Sequence, residues 1–141
     1  MSGFDILTQA AADTAAIHVK GINGDYLFDD GKPVRIVIYG PGSDAAAEVE
    51  QRVTARILKR MADNDGKPSV GTPEQRETEA ADDLASITVE FDNLNYTAGA
   101  GKQGKELFRA FYADKKLGFI AQQIQKAHKD WGNFKPASSG N

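Results

Sequence analysis

Apolar and polar residues first alternate in Ile17-His18-Val19-Lys20, the two-residue period of a half-buried strand. Asp25-Tyr26-Leu27-Phe28 then leads into Asp29-Asp30-Gly31-Lys32, a turn in which Gly31 supplies a positive φ without steric penalty. On the return, Val34, Ile36 and Ile38 share one face, and Arg35, Val37 and Tyr39 share the other. The pattern over 15–39 therefore predicts a β-hairpin. Residues 1–14 are small and polar apart from Phe4, Ile6 and Leu7, and read as a short helix or an arm that docks elsewhere.

Gly40-Pro41-Gly42 ends the strand, and Ser43 or Asp44 can cap a helix by accepting from its first free N–H groups. Val49, Val53, Ile57 and Met61 repeat every four residues, which predicts a helix to about Met61 with one apolar stripe. Arg52, Arg56, Lys59 and Arg60 lie mostly off that stripe. Glu48 and Arg52 form a favourable i,i+4 pair, and acidic residues come early and basic ones late, as the helix dipole prefers. Residues 62–82 carry Gly, Pro and charge with few apolar groups, and predict a flexible surface loop.

From Leu84 to Phe91 the alternation of Ile87, Val89 and Phe91 with Thr88 and Glu90 predicts a strand, though the stretch could also open as the end of a helix starting near Pro73. Asn93 to Gly104 reads as loop. A helix from about Lys105 groups Leu107, Phe108, Phe111 and Tyr112 on one face. Asp114-Lys115-Lys116 breaks it, and a second helix from near Leu117 turns Phe119, Ile120, Ile124, Ala127 and Trp131 inward until Gly132 stops it. Residues 135–141 read as a frayed tail. The expected fold class is α+β: a β-hairpin or small antiparallel sheet with one long helix, then a helical C-terminal unit. The whole, residues 1–141, is expected to be a single domain, with 15–61, the loop 62–82 and 84–134 as its parts.

Composition narrows the class. A length of 141 residues suits one domain with a real core. Cysteine is absent, which removes disulfides, thiol nucleophiles and thiolate metal sites. No signal peptide and no apolar run near the ~20 residues of a membrane span are read, so a soluble cytoplasmic protein is expected. The net charge of −3 is uneven: nine Lys/Arg face seventeen Asp/Glu up to Gly101, and eight face three from Lys102 onward. Solvated helix faces explain this; so does a C-terminal part that meets an acidic partner or the acidic part of another copy.

Candidate chemistry is sparse. Gly99 to Lys105 matches the GxxxxGK phosphate loop, but Glu106 stands where Ser or Thr should hold magnesium, and the strand ends several residues too early. Asp63-Asn64-Asp65-Gly66 suggests a calcium loop, but the EF-hand frame puts Met61 and Thr72 at positions that need carboxylates. His18 and His128 lack an HxxxH or HExxH partner, so no metal site is expected. No GxSxG elbow supports a triad. The C-terminal lysines with Tyr112 and Trp131 could form a nucleic-acid patch, yet the aromatics recur at core spacing and the chain is acidic. No cofactor, nucleic acid or membrane partner is expected.

The segment LGFIAQQIQKAHKDWGNF, preceded by a short aromatic helix, resembles the C-terminal half of tail assembly chaperones of long-tailed bacteriophages and prophages. Phe119-Ile120, Gln122-Gln123-Ile124 and Asn133-Phe134 carry the likeness. The Asp30–Pro33 turn, the following apolar strand, and Ser43-Asp44 opening an Ala- and Arg-rich helix are similar to the same family, so the likeness spans most of Ile17 to Phe134. It departs at Glu90-Phe91-Asp92, where a Trp-bearing segment is expected. The resemblance implies a non-enzymatic factor that coats the tape measure protein and helps recruit tail tube subunits in the host cytoplasm; self-association is a further partner reading. Phe108, Phe111, Phe119, Ile120 and Trp131 are the contact residues expected on this basis, and their spacing suits a core equally well. The alternatives are a structural virion component (tail tube, terminator or connector subunit) and, more remotely, a nucleotide-binding enzyme using Gly99–Lys105.

Overall fold

Asp30 and Gly31 both take positive φ, 54° and 73°, the backbone that matches the right-handed twist of the strands it joins. The structure, a computed structural model, describes residues 3–136. The turn joins two short strands, β2 (Phe28–Asp29) and β3 (Lys32–Pro33). They form the tip of a projection over 20–33, whose other turn closes through Gly21 N–H to Asp25 O at 2.9 Å.

The main sheet has three antiparallel strands in the order β1 (Thr14–His18), β4 (Arg35–Tyr39), β5 (Thr88–Asp92). Ile17 pairs with Ile36, and Ile36 with Phe91. The register shifts between Val37 and Ile38, so that Val37 meets Glu90 and Ile38 meets Thr88. This bulge breaks the expected alternation of Ile87, Val89 and Phe91: Thr88 is buried while Val89 is exposed. Asn93, in the left-handed region at φ 59°, donates to Asp29 O and Lys32 O, and so fastens the end of β5 to the projection.

Four helices complete an α+β fold: α1 (Asp44–Asp63), α2 (Pro73–Ser86), α3 (Gly104–Ala113) and α4 (Gly118–Lys129). Ser43 caps α1 by accepting from Ala46 N–H. Helix α2 corrects the expectation of a flexible loop over 62–82. Thr72 accepts from Gln75 N–H while the Gln75 side chain accepts from Thr72 N–H, and Pro73 follows at the first helical position. The loop is confined to 64–72, and the reading of a helix from near Pro73 is the one that forms. Of the tail expected over 135–141, residues 137–141 lie outside the described residues.

The core lies between the sheet and α2, α3 and α4. Ile36, Ile38 and Val19 meet Leu84, Ala85, Phe108, Phe111, Tyr112, Ile120 and Ile124 there. Phe134 plugs one end. Its ring covers Gly40 so closely that a Cβ at that position would sit 2.8 Å from it. Asn133 donates to Ala127 O in the last turn of α4, a carbonyl that also accepts from Asp130 N–H. The Asn133-Phe134 pair is thus a structural closure. Among the described residues, no helix is long and apolar enough to cross a membrane.

Candidate interaction surfaces

The five residues expected to make contacts fall into two groups. Phe108, Phe111 and Ile120 are buried in the core, the placement their spacing suited equally well: α3 and α4 turn them onto Phe91 and the sheet. Phe119 is half-buried and packs on the same core. Trp131 alone is well exposed, at 57%. It has left α4 for a short 3-10 turn, where Asp130 accepts from Gly132 N–H, and its ring lies against Gly42. The expected inward Trp131 is therefore a surface group.

Between α2, α3 and α4 runs a hollow of about 470 Å³. Its floor is made of small groups, Ala80, Ala81, Gly118 and Ala121, with Leu84 and Tyr112 beneath. A second hollow of about 140 Å³ shares Ala80, Leu84 and Gln125 with the first and continues towards Val49 and Ile87. The two form one slot between α2 and α4. Small side chains let a visiting helix approach the backbone, and Leu84, Val49 and Ile87 offer apolar contact along its length. Glu77, Asp114 and Lys115 rim the wider end. At the floor, the Thr88 hydroxyl bonds the Tyr112 hydroxyl at 2.8 Å and donates to Leu84 O at 2.8 Å. Burial pushes the Tyr112 phenol well above its ordinary range, against a smaller opposing effect of that bond. Tyr96 is raised mainly by donating to Asp114.

One wall of the slot is held by charge. Arg52, Arg56 and Arg60 of α1 reach Asp82, Asp83 and Glu79 of the antiparallel α2. Arg56 grips Asp83 with both guanidinium nitrogens, at 2.9 and 2.5 Å, and that bond raises its pKa further. Arg52 also donates to Ser86 at 2.8 Å, while its Nε is buried without a partner among the described residues. No residue of α1 is fully buried; Ile57 of its expected stripe faces solvent, as does the neighbouring Leu58. The arginines placed off that stripe are the docking groups.

The histidines serve structure. His128 Nδ1 donates to Tyr39 O at 2.8 Å, and His18 Nε2 to Leu27 O at 2.8 Å, a carbonyl being only an acceptor. His18 stacks on Tyr26 and meets Phe28 edge-on. Gly99 is buried against Leu107 and Tyr96, in a turn seven residues beyond the end of β5 rather than directly after a strand. Asp65 and Gly66 take positive φ at the end of α1, where Gly66 N–H bonds Met61 O.

The α2–α4 slot was missed in the sequence because its lining is alanine and glycine, which read as filler in an apolar pattern. The signal available was Thr72-Pro73-Glu74-Gln75, which makes α2 a helix, and the pair Ala80-Ala81 facing Gly118 and Ala121. No protein-family model, curated protein or solved structure matches the chain.

Proposed function

We propose that this protein is a tail assembly chaperone of a long-tailed bacteriophage or prophage, a non-enzymatic factor acting in the cytoplasm of the bacterial host. It binds helices of the tape measure protein and helps recruit tail tube subunits. The observation that carries this reading is the open α2–α4 slot, floored by Ala80, Ala81, Gly118 and Ala121. It has the form needed by a groove that takes an amphipathic helix through anchors at i, i+3 and i+4. A chaperone must also release its client, and shallow contact along alanines suits exchange better than one deep aromatic pocket. The resemblance over Ile17 to Phe134 supplies the identity of the client.

The test is co-expression with the tape measure protein encoded beside it, comparing wild type with Ala121→Trp, which fills the slot from a helical position. Circular dichroism checks that the variant folds. Wild type is expected to keep the tape measure soluble and to co-purify with it, and the folded variant to do neither. A tape measure that stays insoluble with wild type overturns the proposal, and a wild type that instead forms a permanent ring found in finished particles supports a structural virion component. Equal rescue by the folded variant moves the client site away from this slot.

A further inference from the structure

The free edge of β1 carries unused backbone groups. Gly40 N–H bonds Asp13 O and Val19 N–H bonds Val34 O, so the odd residues of this stretch face β4, while the Val19 carbonyl accepts from Leu27 N–H of the projection. The even residues point the other way. Ala12 N–H meets Phe134 O at 3.0 Å, and at the far end the Gln123 side chain accepts from Lys20 N–H and donates to Lys20 O, at 2.8 and 2.7 Å. Between these two closures, no partner meets the N–H or C=O groups of Thr14, Ala16 and His18 among the described residues. The side chains there are small or neutral, without the lysine, proline or bulge that usually guards an edge. The other edge, β5, is guarded by its bulge and by Glu90 and Asp92.

A cleft of about 330 Å³ runs beside this open edge, between it and α4. Ile17 and Ala127 line its helical side; His18, Lys20 and Tyr26 line the other; Lys126 stands on the rim. Strand edge and flanking helix together make a slot for an extended segment.

The same chain holds a segment that fits. Phe4, Ile6 and Leu7 are between 69% and 76% exposed, the most exposed cluster of large apolar side chains near either end. Among the described residues, their 3-10 turn, Ile6–Gln9, is held only by bonds within itself and to Asp5. Gly3 to Leu7 spans five residues, as does the opening from Thr14 to His18. Laid out as a strand, the segment puts Phe4 and Ile6 on one side and Asp5 and Leu7 on the other. Phe4 and Ile6 then face Ile17 and Ala127, and Asp5 faces His18 and Lys20. Charge agrees as well: up to residue 19 the chain has Asp5 and Asp13 and no Lys or Arg, whereas the cleft carries Lys20 and Lys126 with Asp130.

We infer that the N-terminal arm of a second copy of this chain adds as a strand to the β1 edge, between β1 and α4. The inference stands on the sheet edge and the arm, and does not depend on the chaperone reading. A reciprocal exchange closes a two-fold dimer, and a one-way exchange propagates a chain of copies.

Sedimentation equilibrium from micromolar to millimolar protein tests it with three full-length chains. Wild type is expected to rise with concentration to about twice the monomer mass or beyond. Ala16→Pro removes one outward N–H while keeping every β1–β4 bond, a change an edge strand tolerates. It is expected to stay monomeric, as is the arm variant carrying Phe4→Asp and Ile6→Asp. Mixing the two variants joins an intact arm to an intact edge, and is expected to restore a one-to-one heterodimer. A wild type that stays monomeric throughout overturns the inference, as does either variant that associates alone or a mixture that does not. Should Ala16→Pro fail to fold, hydrogen exchange decides: the Ala16 and His18 amides of wild type must become protected as concentration rises, and those of the arm variant must not.

Discussion

Helices α1 and α4 have much the same apolar periodicity, yet the protein holds them in different ways. Helix α4 is short and buries Ile120 and Ile124 against the sheet, Ile124 completely. Helix α1 is the longest element and buries nothing completely; Ile57 is 52% exposed, and the helix is held to α2 through Arg52, Arg56 and Arg60. One helix is part of the core, and the other is latched to it. Apolar burial is non-directional and is not weakened by ionic screening, whereas partly exposed ion pairs need geometry and weaken as ions screen them. Helix α1 is therefore the part of the fold most easily moved by solution conditions.

The largest effect that would sharpen this contrast is truncation on each helix. Ile124→Ala is expected to destabilise by about 2–5 kcal/mol, a buried cavity with little room to collapse, and Ile57→Ala by less than about 0.5 kcal/mol. Urea unfolding of both variants checks this, and equal losses would place α1 in the core after all. Next comes the latch. Asp83→Ala strips the acceptor from Arg56 and one acceptor from Arg52, and is expected to lower stability by about 1–3 kcal/mol at low salt. That deficit should shrink in molar NaCl, while the deficit of Ile124→Ala should not.

The smallest effect concerns the floor of the slot. The Tyr112 phenol is raised in the folded protein, whereas the unfolded chain ionises it near its ordinary value of about 10. Above that pH the unfolded state binds fewer protons than the folded one, so stability falls as pH rises. The contribution is whole below about pH 10 and is lost progressively as pH climbs towards the raised folded value. Urea midpoints measured across that range should fall for wild type and fall less for Tyr112→Phe. Tyr96, also raised, leaves the remainder.

How far the sequence could be read follows from the same contrast. Where one face meets one core, period is enough: Val34 to Tyr39, Leu107 to Tyr112 and Phe119 to Ala127 form the strand and helices their spacing predicts. In α1, the rows Val49-Val53-Ile57 and Arg52-Arg56-Arg60 share one spacing and lie side by side. Only the acidic row Glu79, Asp82, Asp83 of a distant helix decides which row docks. Helix α2 was itself obscured by its charge, since a polar stretch with Gly and Pro reads as loop until its capping residues are weighed. The bulge at Val89 is set by pairing with β4 and has no local signal. Aromatics at core spacing hid the distinction between Phe108, which the core needs, and Trp131, which it does not.

Phe134 has a consequence for the order in which the molecule is made. Its ring seals Gly40, and its carbonyl receives Ala12 N–H, so nearly the last described residue closes the first strand. During synthesis the ribosome delivers β1 and β4 long before either receives that closure, and a nascent chain halted short of residue 134 keeps the rim of its sheet unsealed. Completion of this fold therefore waits for residue 134 to emerge, rather than for emergence of its strands.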